Sequence, residues 1–337
     1  MYDDRRSQQQ AKHIAQRAPA ESAAQGPGSA LAKLLYLQTR VPGDRAAHAL
    51  HQADWINGML SGRFGLADEN NVLKLGYDPL ARCWPDWLTG LNLTRELLPK
   101  VHPVGTTLGT VSADAARQTG LPQTVLLVAG TTDSNAAALA AGIAGPGDAV
   151  TSLGSTLVLK VHSDKPLTSS KYGIYSHRIG NGWLTGGASN SGGAVLRNFF
   201  SDAEIAQLSQ KIDPARPLGL GYYPLPGIGE RFPRNDPDMR PQMQPRPDNR
   251  RDFLQAILEG IADIEAEGYT RLTELGAAFP RQVFSSGGGA ANQAWRQIRE
   301  LRLGVPVLQA TQTEAAFGAA LIAREAVLAS HATPDRP

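Results

Sequence analysis

Two aspartates and three glycine-rich stretches are the residues of this 337-residue sequence whose types and spacing could do chemistry. The first stretch, AVTSLGSTLVLKV at residues 149–161, places Gly154, Ser155 and Thr156 between two apolar runs. Val150, Leu157, Val158, Leu159 and Val161 favour extended chain, so the stretch predicts a hairpin with a glycine turn. The two hydroxyls either solvate an ordinary bend or, with the turn amides, hold an anion. TGGASNSGGAV carries Gly192 and Gly193, and SSGGGAANQAW carries Gly287, Gly288 and Asn292. Both stretches run from a predicted strand into a predicted helix, where glycine lets backbone approach a ligand and the helix start offers free N–H groups. One such loop is no more than a tight turn. Three in one half of the chain suggest several backbone segments converging on a polyanionic ligand, which points to a nucleotide.

The aspartates have two readings each. Asp68, in GLADENN, is either a solvated turn former or a general base that takes a proton from a hydroxyl nucleophile. Asp133 opens the alanine-rich helix predicted in GTTDSNAAALAAG, where a carboxylate stabilises the N-terminus by capping and dipole. Glu314 in TQTE reads as part of a capping box. Other chemistries are excluded by pattern. The sixth position of a dinucleotide-type GxGxxG is Asn292, and no GxxxxGK[ST] occurs. The one cysteine, Cys83, excludes an intramolecular disulfide framework and a thiolate zinc cluster, and predicts a reducing, cytoplasmic setting. Lys+Arg of 33 against Asp+Glu of 31 gives no electrostatic case for nucleic acid or membrane partners. The apolar run TVLLVAG is too short to span a bilayer, and the polar start lacks the apolar core of a signal peptide.

These residues need a scaffold, and hydrophobic spacing predicts one. Helices are expected over residues 5–18, 29–38 and from HQADWINGMLSG, followed by an irregular loop in LADENNVLKLGYDP. Short helices with proline turns are expected from Asp86 to Gly120, and QTVLLVAG reads as a buried strand. Residues 213–250, rich in proline and arginine, read as a long loop or disordered insert. A long helix with Phe253, Leu254, Ile257, Leu258, Ile261, Ile264, Leu272 and Leu275 near 3.6-residue spacing follows. Alternating strands and helices predict an α/β protein with a boundary near Gly145–Asp148, giving domains 1–147 and 148–330.

Seven segments in order then carry a resemblance: ADENNVLKLGYDP, GTTDSNAAALAAG, AVTSLGSTLVLKV, YGIYSHR, GGASNSGGAVLR, YYPLPGIGERFPRNDP and SSGGGAANQAW. The chain resembles the FGGY family of carbohydrate kinases, and within it most the plant and cyanobacterial D-ribulose kinases formerly grouped with xylulose kinases. The resemblance implies two RNase H-like domains of the actin, hexokinase and Hsp70 superfamily, with sugar bound by the first and nucleotide by the second. It implies ATP with Mg2+ as phosphoryl donor and D-ribulose as acceptor, giving D-ribulose 5-phosphate. A small sugar and ATP would be the partners, and a homodimer is compatible with it.

By the same resemblance Asp68 is the base for the sugar hydroxyl, and Gly154, Ser155 and Thr156 are a phosphate-binding turn. Gly287, Gly288 and Asn292 match the adenosine segment, and Gly192 and Gly193 match a second loop near the nucleotide. Asp133 matches an acidic position that meets magnesium through water. Asp4 and Arg6, in YDDRR, match a W-x-D-x-R segment near the sugar. The family's opening D-x-G-T turn is absent from the 337 residues. The first domain is therefore expected to lack its leading strands, as a truncated reading frame, a late start or a decayed copy would. Two activities compete on that basis: sugar phosphorylation, by D-ribulose or D-xylulose kinase, and nucleotide or sugar binding without transfer.

Overall fold

The computed structural model describes residues 4–41 and 45–332, so Tyr2 and Asp3 of the YDDRR segment lie outside the described residues. Helices and strands alternate in an α/β fold. The chain divides into two units, the first comprising residues up to Ala136, His177–Gly180 and the chain from Ala316 onward. The second comprises Ala137–Ser176 and Asn181–Ala315. The division lies inside the helix Asp133–Ala141, upstream of the expected 147/148 boundary, and the C-terminal helix Ala315–Ala332 returns to the first unit. A close approach explains the return. Gly318 sits where any Cβ would collide with the Ala136 carbonyl oxygen, so only glycine lets the two helices meet there.

In the second unit, five strands run in the order Val307–Gln309, Gln282–Ser286, Asp148–Leu153, Leu157–Ser163 and Gly182–Ser189. The first three are parallel to one another, and the last three form antiparallel neighbours. Asp148–Leu153 is buried nearly throughout, as a strand inside a covered parallel sheet must be, and Leu157–Val161 alternates with the two-residue period. The predicted hairpin is present, with Leu153 opposite Leu157.

The long helix Arg250–Glu274 is capped by Asn249 Oδ1, which accepts from Arg251 N–H at 2.9 Å. It buries Phe253, Leu254, Ile257, Leu258, Ile261 and Ile264, the apolar stripe its spacing predicts. A polar network is buried beside them. Arg299, from the helix Gln293–Leu303, is fully buried against Glu265 of the long helix, with Nε to Oε2 at 2.5 Å and Nη2 to Oε1 at 2.7 Å. Its Nη1 donates to Ser285 Oγ at 2.6 Å, and Thr151 Oγ–H donates to Glu265 Oε1 at 2.5 Å. Tyr269 Oη lies 2.9 Å from the Thr151 hydroxyl, and burial pushes its phenol above the ordinary range. Two helices and two neighbouring strands thus share one satisfied network.

Residues 213–250 form the expected long loop, with no helix or strand before Arg250, and the alternative of a disordered insert is corrected. The segment folds back on itself through bridges between Tyr223 and Gln242 and between Glu230 and Asp236. Glu230 is buried and accepts from Ser189 Oγ at 2.5 Å, Asn190 N–H at 2.8 Å and Tyr223 Oη at 3.1 Å. Phe232 is fully buried and fills space left by Gly187 and Gly268. The prolines and arginines dominate the composition, but Tyr222, Tyr223, Leu225, Phe232 and Met239 anchor the segment in the core.

The first unit holds the helices Gln8–Ala15, Ala30–Gln38 and Gln52–Ser61, near their expected positions. Ser29 caps the second through Ala32 N–H at 3.1 Å, and Gly62 in the left-handed conformation ends the third. Ile14, Leu31, Ala32, Leu35, Leu88 and Leu91 form one of its cores. Among the described residues, two short ladders complete it. Leu66–Asp68 runs parallel to Lys100–His102, and Thr107–Thr110 runs antiparallel to Leu126–Val128. The strand Lys100–His102 falls where only short helices were expected. LADENNVLKLGYDP is likewise no irregular loop: it is a strand end followed by the 3-10 helix Asn71–Leu75, with Val72, Leu73 and Leu75 buried.

Replacing Arg299 by methionine would leave the Glu265 carboxylate buried and uncompensated. The Arg299→Met variant is expected to lose about 3–5 kcal/mol of unfolding free energy. Urea titration checks this, and a loss below about 1 kcal/mol would show that the network does not hold the unit together.

Candidate functional site

The parallel strands Asp148–Leu153 and Gln282–Ser286 are in register through Ser152 opposite Ser286, so both leave the sheet at the same edge. The first enters the turn Gly154–Thr156 and the second enters Gly287. Gly287 has φ of +81°, and a Cβ on it would lie 2.8 Å from the Leu153 carbonyl oxygen. The loop before the helix Gly193–Arg197 closes on the same turn. Gly193 N–H donates to Gly154 C=O at 2.8 Å, Ala194 N–H to Ser155 C=O at 3.1 Å, and Leu157 N–H to Ser191 C=O at 2.7 Å. Gly192, at φ +138°, leaves no room for a Cβ against Leu157 N at 2.9 Å. The structure therefore brings together Gly154, Ser155, Thr156, Gly192, Gly193 and Gly287.

Their tasks differ from a shared cradle. The helix-start amides of Gly193 and Ala194 are taken up by the turn carbonyls, so Gly192 and Gly193 dock the turn. Among the described residues no hydrogen bond takes up the N–H of Ser155 or Thr156. With its carbonyls fixed and its amides free, the turn is built to receive an acceptor-rich group. Asn292 Oδ1 accepts from Trp295 N–H at 3.0 Å and its Nδ2 donates to Ser209 Oγ at 2.8 Å. Its side chain is a helix cap, with its polar atoms engaged. Gly288, between them, would meet nothing within 4 Å if it carried a Cβ, so that backbone stands open.

In the first unit, Asp68 ends the strand Leu66–Asp68 and is buried. Its Oδ1 accepts from Asn70 and Asn71 N–H, each at 2.9 Å, and its Oδ2 accepts from Asn71 Nδ2 at 2.6 Å. Burial raises its carboxyl above the ordinary value, with the Asn71 and Asn70 hydrogen bonds opposing. The carboxylate forms an Asx turn. Asn70, positioned by that turn and itself buried, exchanges hydrogen bonds with the backbone of Arg178, Oδ1 from N–H at 2.9 Å and Nδ2 to C=O at 2.8 Å. Asn70 Nδ2 also donates to Thr131 Oγ1 at 2.8 Å, two residues before Asp133. Glu69, buried beside it, faces Arg82 at 3.3 Å and Arg178 at 3.9 Å.

Asp133 begins its helix with an exposed carboxylate, one oxygen of which accepts from Ser134 N–H at 2.6 Å. With Thr131, Thr132, Asn71, Lys33 and Lys74 it lines a cavity of about 970 Å³ whose remaining wall is largely apolar. Asp68, Asp4 and Arg6 do not line it. Asp4 and Arg6 instead form an exposed bidentate pair, 2.9 Å and 2.7 Å, and Arg6 holds the Asp4 carboxyl well below the usual range. Among the described residues no group of three or more His, Cys, Asp or Glu could hold a metal ion. The uncommitted oxygen of Asp133 fits a hydrated Mg2+, which takes one or two carboxylates and completes its shell with water and phosphate.

Sequence reasoning missed Asn70, Glu69 and Arg178. The signal available was the run Asp68-Glu69-Asn70-Asn71, four polar residues directly after an apolar strand. Buried polar residues at a strand end need partners, and these find them in distant chain.

Two glycine loops delivered at the carboxyl ends of parallel strands are the layout of an α/β protein that takes its ligand at the sheet edge. The chain belongs to the FGGY family of carbohydrate kinases: residues 149–327 match the model of that family's C-terminal domain. It is 28% identical over 244 residues to a xylulose kinase of Bacillus subtilis, covering 69% of this chain and 48% of that protein. It is 28% identical over 323 residues to an autoinducer-2 kinase of Yersinia enterocolitica, covering 88% of this chain and 60% of that protein. The chain thus spans between about half and three-fifths of these curated relatives. The crystal structure of a xyloylose kinase from Brucella ovis has the same fold, with a TM-score of 0.83 at 24% identity over 100% of this chain and 73% of that one.

The raised carboxyl of Asp68 sets a pH signature. A carboxyl whose folded value lies above its unfolded value binds more protons in the folded state, so its contribution falls as pH rises from about 3.8. The stability of the wild-type chain minus that of Asp68→Asn is expected to decline as pH is raised above the ordinary carboxyl value of about 3.8. A difference that is flat or rises over this range, measured by urea unfolding, would contradict the assignment.

Proposed function

We propose that the protein transfers the γ-phosphoryl group of ATP to a hydroxyl of a ketopentose. The observation that carries this reading is the turn at Gly154–Thr156, whose Gly154 and Ser155 carbonyls are pinned while the Ser155 and Thr156 amides stay free. Family membership supports the reaction class, and the relatives named xylulose kinases support a ketopentose. Within that class the ordered motifs favour D-ribulose, giving D-ribulose 5-phosphate, with D-xylulose as the competing acceptor. The single cysteine fits a cytoplasmic setting, and among the described residues no helix is long and apolar enough to cross a membrane.

Gly287 and the open backbone at Gly288 would border the nucleotide beside the turn. Asp133 is the carboxylate suited to take the proton from the sugar hydroxyl, because it is exposed, has an uncommitted oxygen and lines the cavity. Asp68, to which the resemblance gives that role, is committed to its Asx turn, and through Asn70 it fixes the approach to Asp133. Phosphoryl transfer asks the protein mainly for positioning and charge neutralisation, and Mg2+ bound with ATP would supply part of the latter. Asp133 would meet a water of that ion, so its two tasks need separating. Asp4 and Arg6 form an exposed pair that would still offer Arg6 Nη1 and carboxylate lone pairs to a sugar.

An assay of ADP release with D-ribulose, D-xylulose and L-ribulose tests the reading. Sugar-dependent release fastest with D-ribulose is expected. Release fastest with D-xylulose would reassign the acceptor, and ATP binding without release would establish a binding protein instead. Asp133→Asn is expected to lower kcat by at least about 100-fold while affinity for ATP with magnesium stays within about twofold. A fall in that affinity instead would make Asp133 a metal-positioning group.

A further inference from the structure

Arg197 closes the short helix Gly193–Arg197, whose first amides are bonded to the Gly154 and Ser155 carbonyls. That helix is thereby fixed to the turn at one end. From the other end the guanidinium returns to the same turn, with Nη1 3.4 Å from Ser155 Oγ. Because Ser155 Oγ accepts from Arg197, the hydroxyl proton is left for another acceptor. Arg197 is exposed, and no ion pair ties it to a carboxylate among the described residues.

Four arginines of the 213–251 stretch are engaged elsewhere. Arg234 pairs with Glu267 at 2.9 Å, Arg250 with Glu204 at 2.8 Å and Arg251 with Asp252 at 2.6 Å. Arg246 lies over the Phe253 ring, 4.2 Å from its centroid. Arg197 is a cation at the turn with its charge still available. Two amides and two hydroxyls carry only partial charges, whereas a nucleotide triphosphate brings several full negative ones. A guanidinium fork matches phosphate oxygens in both charge and plane.

We propose that Arg197 is a ligand of the nucleotide's phosphate chain, joining the Ser155 and Thr156 amides and the Ser155 hydroxyl in one anion site. This rests on the nucleotide reading of the turn given above. The helix holds Arg197 in place, and the contact to Ser155 keeps the side chain over the site before ligand arrives. Arg197 does no proton transfer; it neutralises charge.

The test compares ATP and adenosine binding by calorimetry in the wild-type chain, Arg197→Ala, Arg197→Gln and Arg197→Lys. Circular dichroism of each variant verifies folding, and the exposed position makes a folded glutamine variant the working control. Loss of about tenfold or more in ATP affinity is expected in the alanine and glutamine variants, with adenosine affinity unchanged and partial recovery with lysine. ATP affinity unchanged in both uncharged variants overturns the role of Arg197 and leaves the turn's nucleotide reading standing. A wild-type chain that binds ATP no more tightly than adenosine overturns that reading as well.

Discussion

The buried ion pair of Arg299 and Glu265 is the constraint on which the sheet of the second unit depends. A charge pair without solvent is stable only if its remaining donors and acceptors are met, and here Thr151 and Ser285 meet them. Those two residues are direct partners across the parallel strands. The network therefore fixes the pairing of Asp148–Leu153 with Gln282–Ser286 a few residues before each strand becomes a loop. A slip of one residue would exchange the faces of a strand, placing the Thr151 hydroxyl away from Glu265. The register that satisfies the charge is the register that puts Gly154 and Gly287 at one edge.

From that edge the glycines divide their work. Gly192, Gly193 and Gly287 are small because backbone passes against backbone, the first two against the turn itself and Gly287 against Leu153 just before it. The turn at Gly154–Thr156 is what they support. Its carbonyls face inward to bonded amides and its own amides lack protein acceptors. The first unit shows the same separation of holding from acting. Asp68 spends its charge on Asn70 and Asn71, Asn70 spends its amide on Thr131 and Arg178, and Asp133 keeps an oxygen uncommitted.

Much of the scaffold was legible in the sequence, and the reasons are physical. The helix Arg250–Glu274 and the hairpin at Gly154 follow from periodicity, because burial of one face is what periodicity records. Residues 213–250 are the long loop that composition allows, but composition does not show that the loop is ordered, because it averages over the few aromatic anchors, such as Phe232, that decide burial. The resemblance gives Asp68 and Asn292 ligand roles, and from the sequence alone a polar residue beside a glycine or a strand end looks alike whether it caps the chain or meets a ligand. Only the partner of each side chain separates the two, and those partners lie up to 83 residues away, as between Ser209 and Asn292. Arg197 carried no signal at all, since its value comes from a fold-dependent return to Ser155.

In the proposed function, phosphate meets the protein at the free amides of Ser155 and Thr156. Hydrogen exchange read by mass spectrometry on peptides spanning 149–161 tests this directly. With ATP bound, exchange at those amides is expected to slow, while adenosine leaves it unchanged. Binding of ATP that protects other segments and leaves 149–161 as fast as before would contradict it.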